Sequence, residues 1–136
     1  MANIILTTLF EQKKREFHTE GQGNDRFRAD FLNAVNRAGR RINRDADLET
    51  RITAVNSVEG TVALDETYED VLSDLITVNL IQMGQKVRSG SEDDYRQLVR
   101  QMPNKIDSIR QDIMNQAIDD DTDDESDFVG LGALGG

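Results

Sequence analysis

The chain has 136 residues, with 26 Asp and Glu against 16 Lys and Arg, one His, no Cys and a formal net charge of −10. That length suits one domain with a real core and is short for two, and without Cys neither a disulfide framework nor a thiolate metal site is available. Seven acids lie between Asp119 and Asp127; setting them aside leaves 19 acids against 16 bases, so the body is nearly balanced and the acidity belongs to the tail. The opening stretch MANIILTTLFEQKKREF has neither a basic n-region nor a long apolar run, and no signal peptide is expected. No stretch approaches the ~18 apolar residues of a membrane span, so a soluble chain is expected.

Residues 3–17 predict a first helix, with Leu6, Leu9, Phe10, Lys13 and Phe17 at near-helical spacing and the cations Lys13, Lys14 and Arg15 near its C-terminal end. Gly21-Gln22-Gly23 ends it. His18, the one histidine, has no second His, Cys or carboxylate cluster at ligand spacing and reads as an ordinary surface or helix-end residue. A second helix is expected from Asn24 or Asp25 to about Asn43, on an apolar stripe of Phe27, Phe31, Val35, Ala38 and Ile42. Six arginines (Arg26, Arg28, Arg37, Arg40, Arg41 and Arg44) decorate the same helix within 19 residues. They suit either a solvated or inter-subunit face that pairs with acids or a surface for phosphates. The aromatic residues Phe27 and Phe31 belong to the apolar stripe, which leaves no base-stacking platform among the charges.

Arg51–Val55 and Thr61–Leu64 are short and rich in β-branched residues, and the loop Asn56–Gly60 between them predicts a small β-hairpin. A lone hairpin is marginal in water and must lean on helices or on a partner. The stretch from Asp65 to Gly84 then predicts the central helix. Asp65 is placed as its N-cap, Glu66, Glu69 and Asp70 oppose the dipole, and Gly84 is suited to closing it. Tyr68, Leu72, Leu75, Ile76 and Met83 form the expected core face, and Val78, Leu80 and Ile81 make the second half apolar nearly all round. A helix of that kind is buried on more than one side. Ser91-Glu92-Asp93-Asp94 reads as a capping-box-like start to a last helical region. Tyr95, Leu98, Val99 and Met102 lead to Pro103, where a kink or break is expected. Ile106, Ile109, Ile113 and Ala117 resume the pattern beyond it.

No constellation in the sequence supports catalysis, a cofactor or a metal. Gly130-Leu131-Gly132-Ala133-Leu134-Gly135 fits G-x-G-x-x-G, but an acidic run precedes it where a strand is required, and no helix can follow within the one remaining residue. Counting a calcium loop from Asp119 puts Asp124 at the position needing Gly and Gly130 at the position needing Glu. No Ser-His-Asp set carries a motif around its Ser, and there is no Cys to act as nucleophile.

The succession Phe31, Ala34, Val35, Asn36, Ala38, then Arg41-Ile42-Asn43 and Ala46-Asp47-Leu48, a short hairpin, and the run from Val62 to Leu72 with Gly84 closing resembles the head-to-tail adaptor proteins of tailed bacteriophages. The likeness covers roughly residues 24–87. It implies a mostly helical, non-enzymatic structural protein of the virion neck, assembled in the host cytoplasm. The implied assembly is a homo-oligomeric ring, dodecameric in the family, with the portal protein on one side and a tail or nozzle protein on the other. DNA would pass through such a ring without sequence-specific binding.

The expected architecture is thus mainly α: about four helices with one small β-hairpin over residues 1–118, then an acidic and Gly-rich extended arm over 119–136. Partner contacts are expected at Arg37, Arg40, Arg41 and Arg44 and, on the arm, at Phe128, Val129, Leu131 and Leu134. The rival expectation is a nucleic-acid-binding or regulatory helical module that uses the arginines of residues 26–44, with the acidic tail as an internal mimic of phosphate.

Overall fold

The computed structural model describes residues 3–21, 24–46, 48 and 51–125. Its elements follow in the order β1 (Asn3–Ile5), α1 (Leu6–Glu16), α2 (Asn24–Ala46), β2 (Thr61–Asp65), a single 3-10 turn (Glu66–Tyr68), α3 (Glu69–Gln82) and α4 (Glu92–Glu125). The fold is mainly α: four helices and one two-stranded antiparallel sheet.

The sheet corrects the expected pairing. β2 lies where the second hairpin strand was expected, but its partner is β1 at the N-terminus, with Ile4 opposite Val62 and Ile5 opposite Thr61. Residues 51–57 form no strand. The cause lies on α2. Asn43 donates from Nδ2 to the Ile52 carbonyl at 2.8 Å and accepts the Ile52 N–H on Oδ1 at 2.7 Å. Asn36, two helical turns earlier, does the same for Val55, with both bonds at 2.9 Å. Two side-chain amides therefore satisfy the backbone groups that a neighbouring strand would otherwise have taken. Gly39 sits between them, and a Cβ there would lie 3.1 Å from Ile52 Cγ2, so the missing side chain lets the segment lie close against the helix.

The helices bury one continuous core. Phe10 packs edge-on to Phe31 with ring centroids 5.1 Å apart, and Phe27 lies 6.0 Å from Phe10 and 6.1 Å from Phe17. On α3, Leu72, Leu75 and Ile76 are fully buried, Val78 and Leu80 are buried on either flank of that face, and Tyr68 and Met83, just outside its two ends, are partly buried against the cluster. α3 is therefore enclosed nearly all round, as an apolar helix must be. Asp65 does not cap it: no side-chain cap bond is made at either the 3-10 turn or α3, and the Asp65 carboxylate accepts from the Thr67 hydroxyl at 2.9 Å instead. At the other end Gly84, with φ +99°, closes the helix through bonds from Gly84 N–H to Ile81 O and from Gln85 N–H to Leu80 O, both 3.0 Å.

α4 starts on a reciprocal box, in which Ser91 N–H donates to the Asp94 carboxylate at 3.0 Å and Asp94 N–H to Ser91 Oγ at 3.2 Å. Pro103 lies inside this helix without breaking it, so of the expected kink or break there is no break. Met102, Ile106 and Ile109 are buried around it and hold the helix on the core. Pro103 itself is exposed, as is Val99, whose carbonyl loses its usual bond.

Candidate functional site

The outer surface of α2 gathers most of the charge in this half of the molecule. At 100° per residue, Arg26, Asn33, Arg37, Arg40 and Arg44 fall in one stripe along the helix, opposite the face that buries Phe31, Ala34, Val35, Ala38 and Ile42. From Arg26 to Arg44 the stripe is about 27 Å long at 1.5 Å per residue. Arg26, Arg37, Arg40 and Arg44 are exposed and Arg41 is half-buried beside them.

These cations divide by partner. Arg44 holds Asp45 in a two-point contact at 2.7 and 3.2 Å, and Arg41 approaches the same carboxylate at 3.7 Å. The hydrogen bond from Arg44 keeps the Asp45 carboxyl below its ordinary value. Arg28 lies over the Phe10 ring, 5.4 Å from its centroid. Arg26, Arg37 and Arg40 have no ion-pair partner among the described residues. Of the four arginines expected to meet a partner, two are thus tied to Asp45 and two stand open.

Around the N-terminal end of the stripe, Arg26 joins His18, Gly84, Gln85 and Lys86 along a shallow depression of about 190 Å³. It is anchored by backbone bonds from His18 N–H to Lys86 O and from Arg88 N–H to Glu16 O, both 2.8 Å, and by Gln85 Nε2 donating to Asp30 at 2.7 Å. An open cleft of about 590 Å³ lies beside it, between Ile81 and Val87 and the start of α4 at Glu92, Tyr95 and Arg96. A smaller cavity of about 100 Å³ lies under the asparagine-held segment near Arg40 and Ile52.

The structure does contain one close Ser–Lys pair. Lys13 is 2% exposed, and its Nζ donates to Ser73 Oγ at 2.8 Å, Thr77 Oγ1 at 2.9 Å and Glu16 Oε1 at 3.0 Å. An ammonium that donates three bonds beside a carboxylate has no lone pair with which to take the Ser73 proton. The arrangement is a polar joint between α1 and α3. Its signal was present in the sequence, since Lys13 shares the spacing of Leu6, Leu9, Phe10 and Phe17. The asparagine clamp was the more hidden feature, announced only by two amides seven residues apart on the flank of an apolar stripe.

α4 carries the second charged region. It runs antiparallel to α3, with Lys105 paired to Asp74 and Asp112 facing the Tyr68 phenol, whose pKa burial and that carboxylate both raise. Ile113 packs on the core, while Met114 is 45% exposed. The helix runs to Glu125 and so takes in the first six acids of the acidic run, where the arm was expected to begin at residue 119. Asp127 and the expected contact residues Phe128, Val129, Leu131 and Leu134 lie outside the described residues.

Among the described residues no group of three or more His, Asp or Glu is arranged to hold a metal ion. No described helix is long and apolar enough to cross a membrane. Comparison with protein-family models, curated proteins and solved structures finds no match to this chain.

Proposed function

We propose that this chain is a structural assembly protein, an adaptor that forms a ring in the neck of a tailed phage between the portal and the tail. The observation that carries the reading is the outer stripe of α2. Arg26, Arg37 and Arg40 are exposed on a long helix locked to the core by its opposite face, and nothing among the described residues pairs with them. A rigid row of unmatched cations is suited to a surface made for another macromolecule. The resemblance of residues 24–87 to phage adaptors supplies the kind of macromolecule: further copies of the chain, the portal and a tail or nozzle protein. In this reading the function lies in surfaces, with no catalytic step, and DNA slides through the lumen. The residues after 118, with Phe128, Val129, Leu131 and Leu134, serve as anchors on a partner.

The rival reading, a nucleic-acid-binding module, draws on the same arginines. Against it, Phe10, Phe17, Phe27 and Phe31 are all buried, so among the described residues no phenylalanine stands on the charged face to stack on bases. The deciding experiment is the mass of the purified full chain, together with electron microscopy of the particles it forms. Closed rings support the adaptor; a monomer or dimer that retards DNA on a gel supports the rival.

A further inference from the structure

Arg37 and Arg40 are exposed on the outer side of α2 and make no ion pair among the described residues. The same chain carries their electrostatic complement at the start of α3. Glu66 and Asp70 are exposed there and Glu69 is half-buried, and among the described residues none of the three has a cation as partner. One turn further along α3, Asp74 is already matched by Lys105. The dipole of α3 accounts for acids in its first turn. It does not account for Asp112, which is exposed on α4 and brings a further carboxylate to the same place, facing the Tyr68 phenol.

The two surfaces do not meet within one chain. Asn79 donates to the Ala34 carbonyl at 3.0 Å, so that side of α3 faces α2. Asp70 precedes Asn79 by about two and a half turns at 100° per residue, which places it on the opposite side of α3, pointing away from α2. Arg37 and Arg40 stand on the side of α2 away from its buried face. Positive and negative surfaces thus look outward from opposite sides of the α2–α3 pair.

We infer that the carboxylates at the start of α3 in one copy dock on Arg37 and Arg40 of α2 in a second copy. The two arginines are three residues apart and Glu66 and Asp70 four, so each pair stands about one helical turn apart and the spacings match. Both sets project from helical backbone, which keeps the ordering cost of the contact low. Tyr68 is half-buried among the carboxylates, and a guanidinium that meets an aromatic ring and a carboxylate together is held by stacking as well as by charge. Like charges gathered at one turn also repel one another, and cations from a neighbour relieve that repulsion on both surfaces. Because each copy carries one surface of each sign on opposite sides, the contact is head-to-tail, the kind that closes into rings. It rests on the ring reading above and names the surfaces that join adjacent subunits.

The test is sedimentation of the full chain over a concentration series in 0.1 M and 1 M salt, across which the screening length falls from about 10 Å to about 3 Å. Two charge reversals are compared with the parent, Arg37→Glu/Arg40→Glu and Glu66→Lys/Asp70→Lys, with circular dichroism to show that both are folded. Should either reversal unfold, the neutral pairs Arg37→Gln/Arg40→Gln and Glu66→Gln/Asp70→Asn replace them, each expected to weaken association by itself. The expected result is self-association of the parent that weakens roughly tenfold or more at high salt. Each reversal alone should be monomeric where the parent associates, and an equimolar mixture of the two should recover association. A ring that persists unchanged at 1 M salt and in the variants would overturn this contact while leaving the ring reading in place. Folded reversals that fail to complement each other would also overturn the contact, and a parent monomeric throughout would overturn both the contact and the ring.

Discussion

On its inner side α2 buries Phe27, Phe31, Ala34, Val35, Ala38 and Ile42, and on its flank the amides of Asn36 and Asn43 are both used in hydrogen bonds. On its outer side the same helix carries Arg26, Arg37 and Arg40 in solvent with no ionic partner among the described residues. Folding saturates one face and leaves the other unfinished. The difference separates residues that hold the monomer together from residues available for assembly, and each substitution below falls on one side of that line.

The largest effect belongs to the inner face. Phe31→Ala removes a fully buried ring that packs against Phe10 and should lower the unfolding free energy by about 3–5 kcal/mol. Leu75→Ala, at the centre of α3, should lower it by about 2–5 kcal/mol. Denaturant titration checks both, and parent-like midpoints would mean that the core is elsewhere.

The flank comes next. Asn43→Ala leaves the buried Ile52 N–H and carbonyl without partners, and a loss of about 2–3 kcal/mol is expected from stranded groups of that kind. Asn36→Ala, less deeply placed, should cost about 1 kcal/mol. Amide hydrogen exchange at Ile52 and Val55 should quicken in the respective variants. If residues 52–55 instead kept their protection, a strand partner and not the amide clamp would be holding them.

This clamp also marks where the sequence stopped being readable. The apolar stripe of α2, the closing role of Gly84 and the Ser91–Asp94 box were legible because each depends on residues within one or two turns. The partner of β2 was not, because Thr61–Leu64 can pair with any nearby extended segment. What decided between Asn3–Ile5 and Arg51–Val55 was a long-range competition won by two asparagine side chains. That the helix continues through Pro103 has a similar origin: Met102 and Ile106, buried on the core, hold it on both sides of the proline. In the candidate site, the arginines could be counted from the sequence. Which of them stay open could not, because that turns on Asp45 and on the Phe10 ring.

On the outer face the expected balance reverses. Arg37→Ala with Arg40→Ala should move the unfolding free energy by no more than about 0.5 kcal/mol, as ordinary surface substitutions do, while impairing assembly. Truncation after Ile118 should behave likewise, with a parent-like melting temperature and weakened assembly. The smallest effect is one of titration. Asp45 should protonate below its ordinary 3.8 because Arg44 holds the charged form. The pair is therefore intact above that value and is lost as pH falls through the depressed one. Arg44→Ala should return the carboxyl toward 3.8, as NMR titration of its side chain would register.

The most direct test of the central claim, that the outer face of α2 is an assembly surface, is the mass of the native full-chain particle, measured by light scattering beside that of the Arg37→Ala/Arg40→Ala variant. The account predicts a large closed oligomer for the parent and a folded, much smaller species for the variant. A parent that remains a folded monomer at every concentration, or a variant that assembles as the parent does, would contradict it.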